Sequence, residues 1–526
     1  MTDGGEPATA EEPLTGRAFR LHPLSVPYRI AENGLGLAVV ALFAGSSIFG
    51  AVAGTIGVAA GVALGVGIGV AVVAYGIAYY RRFEYELTAD TFDIRSGVFG
   101  RREREIPLRR IQNVDISQNV IQRALGIAEV RLETAGASGS EAHLKFVGEA
   151  RASRLQQEIS RLSRSGDDGE PAEAVEARTV FEISDRELGI LALVSADAQL
   201  LSILFVAGTV LFPAVGSMVD EQLLFPVERG LSALFGPIVT LVGILLIGLV
   251  YGVLRATVYY GFELRRTTKE LRYERGLLQR YSGTIPLSKI QSLTVEENVL
   301  ARALGYASLD IETAGGSGGE GEQGGSQSAI PIAERDRVFE LLNSIESVGA
   351  VEFERPPKRA RQRYAARYAI VVGVVTALLY GVQAAFGLSF YWWAPLGLLA
   401  LVPVAAHLKW KGRGYYVGEN HVVTRNGFWV RRLKVVPYYR VQTVVSSATV
   451  FQRRRRLATV TVDTAGSRSL VGSDAQAVDV SRETAERLRE HVADELYGSL
   501  RRRRRDASTA GGTGRSPNPT DGRGRE

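Results

Sequence analysis

The chain has no cysteine, which excludes disulfides, thiolate metal sites and a cysteine nucleophile. Histidine is scarce too. The five (His22, His143, His407, His421 and His491) are scattered, and none forms a His-x-x-x-His pair, so no zinc site is expected. Charge of either sign is missing between Asn33 and Tyr80. That run far exceeds the ~20 apolar residues one helix needs to cross a bilayer, and it suits two crossings joined by a tight turn. A secretory signal is also missing. Residues 1–16 are acidic and polar, without a positively charged start or a short apolar run, so the first spanning segment is expected to direct insertion itself.

What is present divides a chain of 526 residues into several domains. Apolar runs near 34–55 and 58–80, 199–218 and 231–254, and 368–388 and 390–408 predict three pairs of membrane helices. Glycine, alanine and valine dominate the first pair, and small residues let helices approach closely in lipid. Tyr391, Trp392 and Trp393 stand where an interfacial aromatic belt belongs. Arg81 and Arg82, Arg255, Arg265 and Arg266, and Lys409, Lys411 and Arg413 follow the pairs. The 219–229 hairpin carries Asp220, Glu221 and Glu228 against Arg229. That asymmetry predicts a multi-pass plasma-membrane protein with both termini cytoplasmic. Asp197 is expected at the interface, marking a helix start that 188–196 would extend, rather than as an intramembrane functional carboxylate.

One stretch occurs three times after these pairs. Pro107-Leu-Arg-Arg110-Ile-Gln112, Pro286-Leu-Ser-Lys289-Ile-Gln291 and Pro437-Tyr-Tyr-Arg440-Val-Gln442 open it, and Gly136, Gly315 and Gly466 close it 29 positions after each Pro. Gly97, Gly276 and Gly427 stand 10 positions before. Fixed spacing in three places describes one structural unit used three times. Phe83, Tyr85 and Leu87, then Val114 and Ile116, then Val130 and Leu132 alternate with polar residues, the period of a half-buried strand. Asn119 is placed to cap a short helical turn stopped by Gly126. Leu155, Ile159 and Leu162, Val338, Leu341 and Ile345, and Leu488, Val492 and Leu496 give each unit a closing amphipathic helix.

The chain therefore reads as a disordered tail and basic approach (1–33), hairpin 1 (34–80), repeat domain 1 (81–165), a linker (166–187), hairpin 2 (188–258), repeat domain 2 (259–347), a basic linker (348–367), hairpin 3 (368–410), repeat domain 3 (411–498) and a basic disordered tail (499–526). The Gly-rich insert after Ala314 lacks a following Gly-Lys-Ser/Thr and carries acid, so it reads as a flexible loop rather than a phosphate cradle.

The Pro-Leu-x-Arg/Lys-Ile-Gln motif, the strand ending Glu-Thr-Ala-Gly, and Arg20-Leu-His-Pro-Leu-Ser25 before the first hairpin resemble the bacterial pleckstrin-homology (PH), or membrane-flanked domain, family. The likeness covers about 17–498. It implies an α+β membrane protein in which three helix hairpins alternate with three PH-like small β-barrels, each closed by a C-terminal helix. It brings no catalytic residues to transfer.

The third copy departs from the others. Arg454, Arg455 and Arg456 replace Ala124-Leu125-Gly126 and Ala303-Leu304-Gly305, so with Arg453 the tip is strongly basic. This turn and Arg501, Arg502, Arg503, Arg504 and Arg505 are candidate contacts for anionic phospholipid, at ~1 kcal/mol per arginine; topology marking is the bland alternative. Arg110, Lys289 and Arg440, with Gln112, Gln291 and Gln442, are expected to serve the turn after the motif Pro rather than bind a ligand. No cofactor or metal is expected, nor nucleic-acid binding, since the arginine runs lack interleaved aromatics. The partners expected are the bilayer, anionic headgroups, and other membrane or envelope proteins. The reading is a non-catalytic binding or assembly platform of the cell envelope. The alternative is a lipid-handling or export accessory protein, and an enzyme is least expected.

Overall fold

A hairpin that only glycine permits stands early in the sheet of every repeat. The structure is a computed structural model that describes residues 14–29, 35–134, 142–165, 177–195, 229–313, 326–349, 351–387, 391–465 and 475–512. Gly97, Gly276 and Gly427 take φ of +117°, +108° and +97°. A Cβ there would lie 1.8 or 1.9 Å from the carbonyl oxygen three residues on, so no other residue fits.

Two compact units are present. In the first (1–182, 257–289 and 314–319), strands β1 (Ala18–Arg20), β2 (Glu84–Leu87), β3 (Thr91–Ser96) and β4 (Arg102–Pro107) form an antiparallel sheet in that order. β5 (Ile111–Asn119), β6 (Ile127–Thr134) and β7 (Ala142–Gly148) complete the first repeat. They continue directly into the second repeat, whose β8 (Arg178–Glu182), β9 (Glu263–Arg266), β10 (Glu270–Arg275) and β11 (Gln279–Pro286) give one sheet of order β7-β6-β5-β11-β10-β9-β8. Tyr85, Leu87, Phe92, Ile106, Val130 and Leu132 fill the core beneath helix α4 (Glu149–Ser165), whose Leu155 and Ile159 are buried as the stripe predicts.

The second unit (183–256, 290–313 and 320–526) repeats the device. β12 (Ile290–Asn298), β13 (Tyr306–Thr313) and β14 (Ser326–Glu334) join β15 (Gly414–Val417), β16 (His421–Asn426) and β17 (Val430–Pro437) in the order β14-β13-β12-β17-β16-β15. β18 (Val441–Ser447), β19 (Leu457–Thr464) and β20 (Ala475–Ser481) form a separate three-stranded sheet. The closing helices are α8 (Arg335–Ile345), where Leu342 is buried and Ile345 only half-buried, and α12 (Arg482–Gly512), where Leu488 and Val492 are buried.

This pairing corrects the barrel expectation. No described sheet closes on itself. The second sheet of one repeat gives its edge to the first sheet of the next, so backbone groups that would close a barrel are satisfied between repeats. The second repeat is accordingly split between the two units at Lys289 and Ile290.

Three described helices are long and apolar enough to cross a membrane: Gly54–Arg82, Leu241–Tyr259 and Ala360–Phe386. The first lies in α2 (Leu35–Arg82), which Gly54 interrupts with a left-handed φ of +58°, close to the expected turn. The second lies in α6 (Arg229–Tyr259), where Leu245, Leu246 and Leu249 are exposed as lipid-facing side chains would be. The third is α9 (Ala360–Phe386). The run at 390–408 is not one regular helix: a 3₁₀ segment, Ala394–Leu401, precedes α10 (Val402–Lys411). Pro395 and Pro403 remove the amide donors that an α-helix there would need. The segment still lies beside α9, with Tyr380 against Trp392 and Arg361 against His407.

Two stretches assigned to linker and tail are structured. Part of 166–187 is β8, and Ser184 caps α5 (Asp185–Val194) through a reciprocal bond with Glu187. Helix α12 runs on through Arg501–Arg505 to Gly512 instead of ending near 498, as arginine's high helix propensity allows. The run 199–218, Asp197, the acidic hairpin except Arg229, most of the Gly-rich insert, and Gly136, Gly315 and Gly466 lie outside the described residues.

Candidate functional site

The arginine turn of the third repeat is built by a cap and a strained residue. Thr449 caps α11 (Val450–Arg453): its hydroxyl accepts from the Gln452 amide, and the Gln452 side chain accepts from the Thr449 amide. Asn119 does the same with Gln122 on α3 (Val120–Ala124), and Asn298 caps α7 (Val299–Leu304). The turn then leaves through a left-handed residue. Gly126 and Gly305 supply it in the first two repeats, at φ +63° and +78°; Arg456 supplies it in the third, at +53°. An L-residue is held there at a cost of ~1–2 kcal/mol. Arg453, Arg454 and Arg456 are exposed and Arg455 is half-buried, beside the exposed apolar Val450 and Phe451.

The turn is fixed at the root of the third apolar hairpin. Arg359, the residue before α9, donates from Nη2 to the Arg456 carbonyl at 3.0 Å. Leu457 packs with Ala360, Tyr364 and Ala406. Beneath it Asp479, fully buried and itself at φ +61°, accepts from Arg363 (2.7 Å), Tyr364 (2.7 Å), Arg413 (2.8 Å) and Gln452 (2.8 Å). One carboxylate thus ties the strand bulge to α9, to the chain after α10 and to the arginine turn. Motif matching missed Asp479. Its signal was a departure: the corresponding position in the first repeat is Phe146, also at positive φ and packed on Tyr28 of helix α1 (Ser25–Arg29).

The motif residues do other work. Pro107 and Pro437 end strands and open 3₁₀ turns that Arg110 and Arg440 finish; Pro286 and Lys289 stand at the same places. The glutamine that follows sits in each repeat where the register shifts by one residue, between Ile111 and Asn113, Ile290 and Ser292, and Val441 and Thr443. Gln291 is buried, Gln442 is exposed, and the Gln112 side chain lies outside the described residues. Arg110 is exposed and Lys289 and Arg440 are half-buried at the surface.

Charge also accumulates where β12 meets β17. Glu297 lies against Arg335 at 2.9 Å and Arg431 at 3.4 Å. Burial lowers the pKa of Arg302, and the neighbouring Arg431 lowers it further against the pull of Glu297. Arg425, stacked on Phe353, is pushed down to about 10 by burial and then by Arg431 and Arg355. These are structural ion clusters. Among the described residues no group of three or more His, Asp or Glu could hold a metal.

Residues 36–163, 204–348 and 367–496 match the family described as Bacterial PH domain. The UPF0699 transmembrane protein YdbT of Bacillus subtilis (strain 168) is 24% identical over 412 residues, which cover 75% of this chain and 82% of that protein. The UPF0699 transmembrane protein YdbS of the same organism is 35% identical over 86 residues, covering 16% of this chain and 52% of that protein. No solved structure matches.

Proposed function

Because the chain belongs to the bacterial PH domain family, we propose that it is a non-catalytic membrane platform whose third repeat docks on anionic phospholipid through Arg453–Arg456. The observation that carries this is the bond from Arg359 to the Arg456 carbonyl. It holds the turn beside the basic first turns (Arg361, Arg363 and Arg367) of a 27-residue helix whose apolar run begins at 368, on the side of that run where headgroups lie. Exposed arginines lose little hydration there, and Phe451 and Val450 offer apolar surface beside them. Attraction at ~1 kcal/mol per arginine would weaken over a Debye length of ~8 Å at physiological salt. In this reading the repeats face the cytoplasm and α12 carries Arg501–Arg505 as a second basic stretch.

The test uses the full chain in nanodiscs. Amides of 449–458 should exchange more slowly with phosphatidylglycerol present than in phosphatidylcholine alone, and the difference should vanish at high salt. Changing Arg453–Arg456 to Ser should remove it while the fold is kept. Equal exchange in both lipids leaves the arginines as topology markers only.

A further inference from the structure

Two strands stand open where the repeats elsewhere join. β5 pairs with β11, and β12 pairs with β17. β4, the first repeat's counterpart of β11 and β17, is the last strand of its sheet; β18, the third repeat's counterpart of β5 and β12, is the first of its own. Among the described strands neither has a partner on that side. The two internal joints share one register. Asn119, 12 residues after its Pro, faces Gln279, 7 residues before the next Pro; Asn298 faces Val430 at the same two positions. Applied to the open edges, the rule sets Thr449 opposite Gly100 and Val445 opposite Arg104.

On one face the open edges carry side chains of opposite charge in that register. In the β12–β17 joint, Lys434 reaches across to Glu312 at 2.6 Å. Arg104 holds the Lys434 position and Asp463 the Glu312 position. On the other face Leu433 and Val435 lie buried opposite Val295 and Leu293. β4 has Glu103 and Glu105 there instead, Glu103 already bridging Arg95 and Arg101; the groove that would receive them runs between β18 and α12 and carries Arg489 together with Glu490 and Asp494. The polar strand thus meets a polar groove of mixed charge. Val445 is 46% exposed, whereas the same position is half-buried in β5 and β12.

We infer that β18 of one chain pairs antiparallel with β4 of a second copy, extending the internal joint from chain to chain. The internal joints are sealed by buried residues within one polypeptide. The outer joint, polar and of mixed charge, suits a reversible contact between separate chains, and its head-to-tail sense gives rings or open arrays according to whether the rotation closes. This supplies the assembly side of the platform reading with a partner. Its failure would leave lipid docking by the arginine turn untouched, because the two rest on different residues.

The absence of native cysteine makes the test direct. Two differently tagged full-length chains, one with Arg104→Cys and one with Val445→Cys, are co-expressed and their membranes mildly oxidised. A disulfide product carrying both tags is expected, at a yield comparable to the intrachain bond in a Thr294→Cys, Lys434→Cys chain, and it should fall sharply when Ser447→Cys replaces Val445→Cys. Read through Arg102→Cys with Ser447→Cys, Arg104→Glu and Asp463→Lys should each lower the yield several-fold and restore it when combined. No two-tag product under conditions that close the intrachain control overturns the inference. So does closure of Arg104→Cys with Val445→Cys inside one chain.

Discussion

Lys434 Nζ lies 2.6 Å from Glu312 Oε2 with both side chains nearly buried, 9% and 6% exposed, and Ser292 Oγ donates to the same oxygen at 2.6 Å. The pair crosses from one repeat's sheet to the next, so it fixes the register of a joint as well as its charge balance. Removing Lys434 alone would leave a buried carboxylate unpaired. Lys434→Ala should therefore cost ~3–5 kcal/mol, whereas Lys434→Met with Glu312→Leu should recover most of it. Thermal unfolding of the detergent-solubilised chain checks both; an equal loss in the single and the double variant would mean that the pair contributes only packing.

Arg456 sets a second test. Glycine should relieve its left-handed backbone, so Arg456→Gly is expected to stabilise the third repeat by ~1–2 kcal/mol. Proteolysis of the native chain at the turn should slow accordingly. Arg456→Ala should show no such gain, because alanine keeps the Cβ that the conformation disfavours.

Asp479 is the junction of α9, the chain after α10 and the arginine turn. Asp479→Ala leaves Arg363 and Arg413 without their carboxylate and should cost ~3–5 kcal/mol. Hydrogen exchange should rise first in 360–365 and 410–415. Asp479→Gly relieves the φ of +61° but not the lost charge, so it should remain destabilised; a stability equal to the parent would show that backbone strain dominates there.

Orientation is checked by reporter fusions. Gly166, Gly349 and Glu526 should all report the cytoplasmic side and a fusion within 219–229 the opposite one, since the basic flanks border the repeats. The reverse pattern would refute the cytoplasmic assignment, and with it the contact between arginine turn and inner-leaflet lipid.

Local chemistry at fixed spacing was legible in the sequence alone. The fixed place of Gly97, Gly276 and Gly427 was read there, their hairpin role only in the structure; Asn119 is a cap, and Leu155, Ile159, Leu488 and Val492 are the buried stripes, because each is decided by neighbours within a few residues. The three repeats and the apolar runs were legible for the same reason. Sheet pairing was not. β5 and β18 follow the same motif, yet among the described strands one is paired on both sides and the other on one, since a strand's backbone donors and acceptors look alike in any sequence and only the fold decides which edge meets which. Asp479 was hidden for a related reason: its donors stand 27 to 116 residues away in the chain, and only the packing of α9 and α10 against the bulge brings them to one carboxylate.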